Sequence, residues 1–284
     1  MHKPVTFLHL TDLHVVAPEL ADPGTYTDTV ATMRIVRGMI EAMDPTPSFI
    51  VLSGDLTNKG ETASFRTLKA LLAGIEIPLL FALGNHDSRE GFYEGYLDDP
   101  KRSGFYDHDA LVAGIHVILL DSSRPYSIGG ALDAGQFRWL EDRLVAHSDA
   151  PKLLVVHHPP SLDGDRDNEW ESLRVDDTER LAALLAKHPV AGILSGHIHQ
   201  DRVSAFHGVP LIVAQGQHFG IDVLSLGHVV RMRAGASFGL CTFNRSGLSV
   251  NFVALPSDRR LLGEIGLERL RAIDAEMRAK ARTV

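Results

Sequence analysis

The sequence predicts an α/β protein, because short apolar runs alternate with stretches that have the spacing of amphipathic helices. The apolar runs are typical of strands buried on both faces, and they cover residues 5–10, 49–52, 79–83, 117–120, 153–156 and 190–194. Between them, apolar side chains recur at helical spacing in residues 27–43, 61–73, 134–146 and 176–187. Alternation of strands and helices along a chain is typical of α/β folds.

The pattern changes after about residue 200. Short β-like stretches separated by glycine-bearing turns cover residues 202–206, 210–213, 238–243 and 248–255, and they predict a second, more antiparallel sheet. From Pro256 the chain becomes charged, and Ile265, Leu270, Ile273 and Met277 indicate a final amphipathic helix. We therefore expect one domain over residues 1–256 and a charged amphipathic helix over residues 257–284, which packs on the domain or contacts a second subunit.

Composition narrows the class of protein and the kind of site. No segment approaches the roughly 18 apolar residues of a membrane span, and the N-terminus lacks a secretory signal, so we expect a cytoplasmic protein without a membrane partner. The net charge of −8 argues against an extended nucleic-acid partner, which requires clustered Lys and Arg. Cys241 is the only cysteine, so any metal site must use oxygen and nitrogen ligands.

Polar clusters directly follow five of the predicted strands. They contain Asp12 and His14, Asp55, Asn85 to Asp87, His157 and His158, and His197 and His199. Since ligands bind at the carboxyl ends of the strands in α/β sheets, we expect the five clusters to converge on one site. A purely structural role can explain any one cluster, but it does not readily explain five together.

The spacing and chemistry of these residues indicate a metal centre. Asp12 with His14, and His197 with His199, stand two residues apart, a spacing that makes chelating pairs in an extended segment. Carboxylate, imidazole and amide ligands suit divalent manganese, iron or zinc. Seven ligands are too many for one zinc site, but they fit two ions if one carboxylate bridges, and Asp55 is the candidate bridge.

The clusters resemble a known family signature. Asp12-x-His14, Gly54-Asp55, Gly84-Asn85-His86-Asp87, His157-x-Pro159 and Gly196-His197-x-His199 are similar, in this order, to the five motif blocks of the calcineurin-like metallophosphoesterases. The chain length and the His157-His158-Pro159-Pro160 run are most similar to the bacterial class III cyclic nucleotide phosphodiesterases and the related glycerophosphodiesterases. The resemblance implies a four-layer sandwich of two facing mixed β-sheets flanked by helices.

The resemblance also implies how the ligands are divided between two divalent metal ions. Asp12, His14 and His199 would hold the first ion together with Asp55. Asn85, His157 and His197 would hold the second ion with the same Asp55. The ligand role of Asn85 rests mainly on the resemblance, because an asparagine after a glycine often serves only a turn. His158 is a neighbour to which the resemblance gives no role.

These residues predict hydrolysis of small phosphodiesters. A hydroxide shared by two cations about 3.5–4 Å apart is the expected nucleophile. We expect His86 either to donate a proton to the leaving alkoxide or to donate a hydrogen bond to the phosphoryl oxygen, with Asp87 orienting it. His218, in a glycine-rich loop, is a conceivable substrate contact outside this set.

Several alternatives stay open at the level of sequence. The formal charge of two cations, two carboxylates and one hydroxide matches a phosphodiester monoanion, but Arg89, Arg124 and Arg202 near the motifs keep phosphomonoesterase activity possible. A nuclease on the same scaffold and a non-catalytic scaffold protein are further alternatives. The natural diester, whether a cyclic nucleotide or a glycerophosphodiester, and the native metals are not specified, and a homodimer is possible.

Overall fold

The computed structural model describes residues 4–20, 24–225 and 227–281. The first half of the chain forms β1 (Val5–Leu10), α1 (Thr29–Glu41), β2 (Ile50–Ser53), α2 (Thr62–Leu72), β3 (Leu79–Ala82), α3 (Arg89–Gly95), β4 (His108–Val112), β5 (Ile115–Leu120) and α4 (Ala134–Val145). The second half forms β6 (Lys152–Val156), α5 (Val175–Leu185), β7 (Gly192–Ser195), β8 (Arg202–Phe206), β9 (Val209–Val213), β10 (Gly220–Ile221), β11 (Val229–Arg233), β12 (Ser237–Asn244), β13 (Gly247–Ala254), β14 (Leu261–Gly266) and α6 (Leu267–Ala281). Short 3-10 helices cover Arg166–Glu171 and Val223–Ser225.

Two large mixed sheets form the centre of the fold. One has the strand order β13-β12-β1-β2-β3 and the other has the order β4-β5-β6-β7-β9-β8. In the first sheet β1, β2 and β3 are parallel, and in the second β5, β6, β7 and β9 are parallel, with antiparallel strands at the edges. The carboxyl ends of the parallel strands therefore lie together at one end of each sheet, where the polar clusters follow.

Buried side chains join four layers. Phe7 and Val51 of the first sheet belong to one apolar cluster with Val117 and Val155 of the second, so the two sheets face each other. Helices α1, α2 and α3 contribute to the core on the outer face of the first sheet, and α4 and α5 to that of the second. Helix, sheet, sheet and helix thus follow one another, and the expected fold class is confirmed.

The strands after residue 200 do not form one separate antiparallel sheet, as their local pattern predicted. β8 and β9 complete the second large sheet and β12 and β13 complete the first, while β10, β11 and β14 make a small antiparallel sheet. β12 pairs with its neighbour β13 but also with β1, which lies far away in sequence, as in the pairing of Phe7 with Cys241. Local periodicity predicts that a strand exists but not the sheet that it joins.

The predicted C-terminal helix was wrong in its first part. Residues Leu261–Gly266 form β14, which pairs antiparallel with β11, so Ile265 lies in a strand and α6 begins only at Leu267. The helix packs against its own chain, since Arg271 donates to Asn168 Oδ1 at 3.0 Å. Within the three described ranges, no helix combines the length and the apolar composition needed to cross a bilayer.

Candidate metal centre

The loops after β1 and β2 run side by side and carry the first candidate ligands. Asp12 N donates to Gly54 O at 3.0 Å, and His14 N donates to Asp55 O at 3.0 Å. These bonds continue the parallel pairing of the two strands beyond their ends. Asp12, His14 and Asp55 are thereby held in one buried place by backbone hydrogen bonds.

Asp12, His14, Asp55 and His199 form the first group, in which the potential ligand atoms all lie within 4.8 Å of one another. His199 Nε2 is 3.2 Å from Asp12 Oδ1, and His14 Nε2 is 3.7 Å from Asp55 Oδ2. The two Nε2 atoms of His14 and His199 are only 3.3 Å apart. All four residues are buried. Two carboxylates and two imidazoles therefore face one small volume.

The outer edges of these imidazole rings are held by oxygen acceptors. His14 Nδ1 donates to Asn58 Oδ1 at 2.9 Å, and His199 Nδ1 donates to Phe219 O at 3.0 Å. A carbonyl oxygen can only accept, so Nδ1 carries the proton in each ring and the Nε2 lone pair of the neutral ring faces the group. Histidines that bind metals in proteins are oriented in this way.

His157, His158 and His197 form the second group, again with potential ligand atoms within 4.8 Å of one another. His157 Nδ1 donates to Ser53 O at 2.9 Å. His157 Nε2 is buried and makes no hydrogen bond to any described residue, and it lies 3.3 Å from Asp55 Oδ2. Asn85 adjoins the group, because its Oδ1 is 3.1 Å from His158 Nε2. A metal ion would supply the missing partner of this buried ring nitrogen, so the residues fit a metal site.

Asp55 lies between the two groups. Its Oδ2 is 3.7 Å from His14 Nε2 and 3.3 Å from His157 Nε2. The chain thus brings the expected bridge between the residues expected to bind the two ions. His197 and His199 fall into different groups, so their interpretation as one chelating pair was wrong, whereas Asp12 and His14 do share a group.

His197 and His199 fall into different groups because of the backbone conformation of the loops that carry the candidate ligands. Five candidate ligands have positive φ, namely Asp12 at 49°, His14 at 44°, Asp55 at 49°, His197 at 72° and His199 at 47°. Residues other than glycine rarely adopt this left-handed region, and clusters of them mark functional sites. The alternation of side chains in an extended strand does not apply to such loops.

Two of the glycines that precede ligands are required by close approach. A Cβ at Gly84 would lie 2.1 Å from Asp55 Oδ1, and a Cβ at Gly54 would lie 2.6 Å from His157 Nδ1. Gly54 also has a φ of +108°. The absence of these two side chains lets the loops of three strands meet around Asp55.

The electrostatics of the groups suit a cation. Burial acts to raise the pKa of Asp12 and Asp55, but His199 beside Asp12 and His157 beside Asp55 lower the pKa of each carboxyl below its usual value. Burial acts to lower the pKa of His157, yet Asp55 raises it to about 9. Both carboxylates are therefore ionised at neutral pH and attract positive charge. A divalent ion satisfies the same carboxylates when it takes the place of the ring protons.

His86 and Asp87 do not interact as the sequence suggested. His86 is exposed, its N donates to Asp55 Oδ1 at 2.9 Å, and its Nδ1 donates to Asn58 O at 2.8 Å. The Asp87 carboxylate instead accepts from three backbone N–H groups, those of Leu56, Thr57 and Gly84, each at 3.0 Å. The expectation that Asp87 orients His86 was wrong: Asp87 joins the loop after β2 to the loop after β3.

Two further histidines belong to the surroundings of the groups. His218 is buried, its ring lies 4.8 Å from that of His14, and its Nε2 accepts from Tyr26 N at 3.1 Å. It therefore lies against His14 of the first group, and a contact with substrate stays a prediction. His158, to which sequence reasoning gave no role, lies within the second group, and its adjacency to His157 was the only signal.

A third group of potential ligands lies at the other ends of the strands. Asp109, His116 and His147 come within 4.8 Å of one another, but His116 is at the start of β5. Arg143 Nη1 is 3.7 Å from Asp109 Oδ1 and supplies positive charge there. This group is separate from the loops that carry the expected ligands.

Comparisons with known proteins agree with this geometry. The chain is 33% identical over 227 residues to a "Probable cyclic nucleotide phosphodiesterase" of Rhodococcus erythropolis, covering 78% of this chain and 74% of the relative. It is 28% identical over 185 residues to a "Probable glycerophosphodiester phosphodiesterase GpdQ" of Arcobacter nitrofigilis, covering 62% of this chain and 65% of the relative.

The fold is similar to that of a purple acid phosphatase, PPD1, from yellow lupin seeds. The TM-score is 0.64 at 12% sequence identity, and the match covers 94% of this chain but 54% of the lupin protein. The likeness therefore concerns the fold alone. The sequence profile of the calcineurin-like phosphoesterases, which use divalent metal ions, matches residues 5–201. The chain belongs to the calcineurin-like phosphoesterase family.

Proposed function

We propose that this protein hydrolyses small phosphodiesters with the help of two divalent cations, of which manganese, iron and zinc are the candidates. Asp12, His14, Asp55 and His199 hold one cation. Asp55, Asn85, His157 and His197 hold the other, which makes Asp55 the bridge. The substrate class is that of cyclic nucleotides or glycerophosphodiesters, since relatives at 33% and 28% identity carry these names.

The observation that carries the proposal is the position of Asp55. One carboxylate oxygen, Oδ2, lies within 3.7 Å of a ring nitrogen from each group. A site for a single ion needs no such shared carboxylate, whereas two ions held close together do. The buried, unpartnered Nε2 of His157 supports the same interpretation.

The residues around the proposed cation sites have different roles. Bound there, the cations activate water and stabilise charge on the phosphoryl oxygens. Asp55 aligns the two halves of the site, and Asn85 places an amide oxygen beside the second group. His86 is exposed, and its Nδ1 donates to Asn58 O. In the doubly protonated ring Nε2 carries a second proton, which is either transferred to the leaving alkoxide or donated in a hydrogen bond to the phosphoryl oxygen.

The pairing of Arg89 bears on the choice between a diester and a monoester substrate. Arg89 follows the motif block at 84–87, but its Nε and Nη2 donate to Asp121 at 2.7 and 3.2 Å. Asp121 is buried, so it neutralises this arginine. Arg89 is therefore already paired with a carboxylate, and it does not offer a free positive charge to the second negative charge of a phosphomonoester.

A substrate panel tests the proposal. The purified protein is loaded in turn with manganese, iron and zinc and assayed on 3′,5′-cyclic and 2′,3′-cyclic nucleotides, a glycerophosphodiester and an aryl phosphomonoester. We expect two bound cations per chain and a larger kcat/KM on at least one diester than on the monoester. A larger kcat/KM on the monoester with every metal would overturn the diesterase proposal. Absence of both bound metal and turnover would favour a non-catalytic scaffold.

A pair of histidine variants separates the site from the rest of the surface. His157→Ala removes a proposed ligand and should lose one cation and nearly all turnover. His188→Ala alters a histidine beyond α5 that precedes β7, at the strand ends opposite the site, and should keep both cations and full turnover. Equal metal content in the two variants would contradict the ligand assignment.

A further inference from the structure

Two backbone carbonyl groups orient His158 and His197 of the second group. His158 Nε2 donates to Ile128 O at 3.0 Å, and His197 Nε2 donates to Trp170 O at 2.7 Å. Because a carbonyl oxygen only accepts, each bond places the ring proton on Nε2. The second bond leaves Nδ1 of His197 as its ligand atom. Groups that fix the tautomer and ring orientation of a ligand also tune its affinity for metal.

Helix α6 contacts both of the segments that present these carbonyl groups. Asp274 Oδ1 accepts from Ile128 N at 3.3 Å, next to the carbonyl that holds His158. Arg278 Nη1 lies 3.2 Å from Glu169 Oε2, in the residue before Trp170. Arg278 Nη2 lies 2.8 Å from Asp274 Oδ2. Asp274 and Arg278 therefore connect the two segments through one continuous set of polar bonds.

The burial pattern of α6 shows that polar contacts, and not a buried apolar stripe, attach the helix at this connection. Among the side chains of α6 that the structure describes, only Asp274 is buried, and its exposed fraction is 7%. Glu169, at the other end of the connection, is 8% exposed. A buried carboxylate that keeps its charge needs a cationic partner, and Arg278 serves both Asp274 and Glu169.

We propose that α6 positions the second half of the metal centre, with Asp274 and Arg278 as positioning residues that act through Ile128 and Trp170 on His158 and His197. This inference rests on the proposed function, because it assumes that His197 binds the second cation. Without this connection the carbonyl groups of Ile128 and Trp170 no longer have fixed relative positions, so the rings of His158 and His197 are less well oriented. The acceptors that hold the first group, Asn58 Oδ1 and Phe219 O, lie outside the connection made by Asp274 and Arg278.

Titration of the metal-free full chain with manganese, followed calorimetrically, tests the inference in a way that activity alone cannot. In Asp274→Ala and Arg278→Ala we expect one of the two cations to bind about tenfold or more weakly, while the affinity for the other stays within about twofold. Asp274→Asn keeps an acceptor for Ile128 N and should recover part of the loss. Arg269→Ala is the matched control, since Arg269 pairs with Glu276 on the same exposed helix face.

Two results would overturn the inference, and a third, distinguishable from them, would overturn the proposed function on which it rests. Wild-type affinity for both cations in Asp274→Ala and Arg278→Ala would remove α6 from the site. Equal weakening of both cations together with a lower melting temperature would indicate a merely structural helix. Uptake of fewer than two cations by the wild-type chain would instead overturn the two-cation proposal itself.

Discussion

Replacement of Gly84 by alanine isolates the contribution of close approach to the site. A Cβ there would lie 2.1 Å from Asp55 Oδ1 and 2.5 Å from Asp55 N, whereas ordinary contact requires about 3.4 Å, so the two loops must separate by roughly 1 Å. Metal–ligand distances tolerate deviations of about 0.2 Å, and a misplacement of about 1 Å at a reacting centre costs about 100-fold in rate. We therefore expect Gly84→Ala to lose bound metal and at least about 100-fold in kcat/KM.

The same variant should be destabilised by about 1–3 kcal/mol, the usual cost of overpacking. Gly38→Ala provides the control, because a Cβ at Gly38 in α1 meets nothing within 4 Å and alanine favours helix by up to about 1 kcal/mol. Metal analysis, diester hydrolysis and urea unfolding are measured for both variants. If Gly84→Ala keeps two cations and full kcat/KM, the loops are more pliable than this reasoning allows and the argument fails.

The remaining predictions concern groups around the site and one carboxyl away from it. His86→Ala should keep both metals but lose about 100-fold or more in kcat on diesters with poor leaving groups and little on activated aryl esters, and a uniform loss over a leaving-group series would contradict this role. Asp87→Ala leaves three backbone N–H groups without their acceptor. It should lower the free energy of unfolding by about 2–4 kcal/mol and reduce turnover equally for all leaving groups. A selective loss of turnover on diesters with poor leaving groups would instead indicate that Asp87 acts through His86. Burial raises the pKa of Asp107 to about 6, so the folded state is most stable with respect to this group below about pH 4, and that stability is lost as the pH rises through about 6. Asp107→Asn should therefore raise the free energy of unfolding at pH 8 by about 1–3 kcal/mol and change it little at pH 3. A difference that does not depend on pH would refute the assignment.

Most of the central strands and their helices were predictable because their side chains are sorted by local period. β5 is buried at every position and α4 buries one stripe, and both patterns are visible in sequence. Helix α3 was missed, because its seven residues include Gly91 and Gly95, which disfavour helix. β14 was missed because its partner β11 is more than twenty residues away and because Ile265 continues the helical spacing of the apolar residues in α6.

The candidate ligands were foreseeable from residue type, while their surroundings were not. Clusters of Asp and His directly after predicted strands are unusual, so Asp12, His14 and His199 could be recognised from the sequence. Several ring acceptors are backbone groups, such as Phe219 O for His199 and Trp170 O for His197, and a backbone carbonyl cannot be inferred from residue identity. For the same reason, the role of α6 follows only from the folded chain.

The left-handed backbone at five ligand positions limits what the motifs can do outside this fold. Such a conformation costs roughly 1–2 kcal/mol per residue, so the five together cost on the order of 5–10 kcal/mol, a large share of the net stability of about 5–15 kcal/mol that a whole domain has. Only the two sheets and the bonds between their loops can hold the chain in this shape. A foreign scaffold given the five short motifs, without those sheets, would carry the ligands but relax away from the geometry that binds metal.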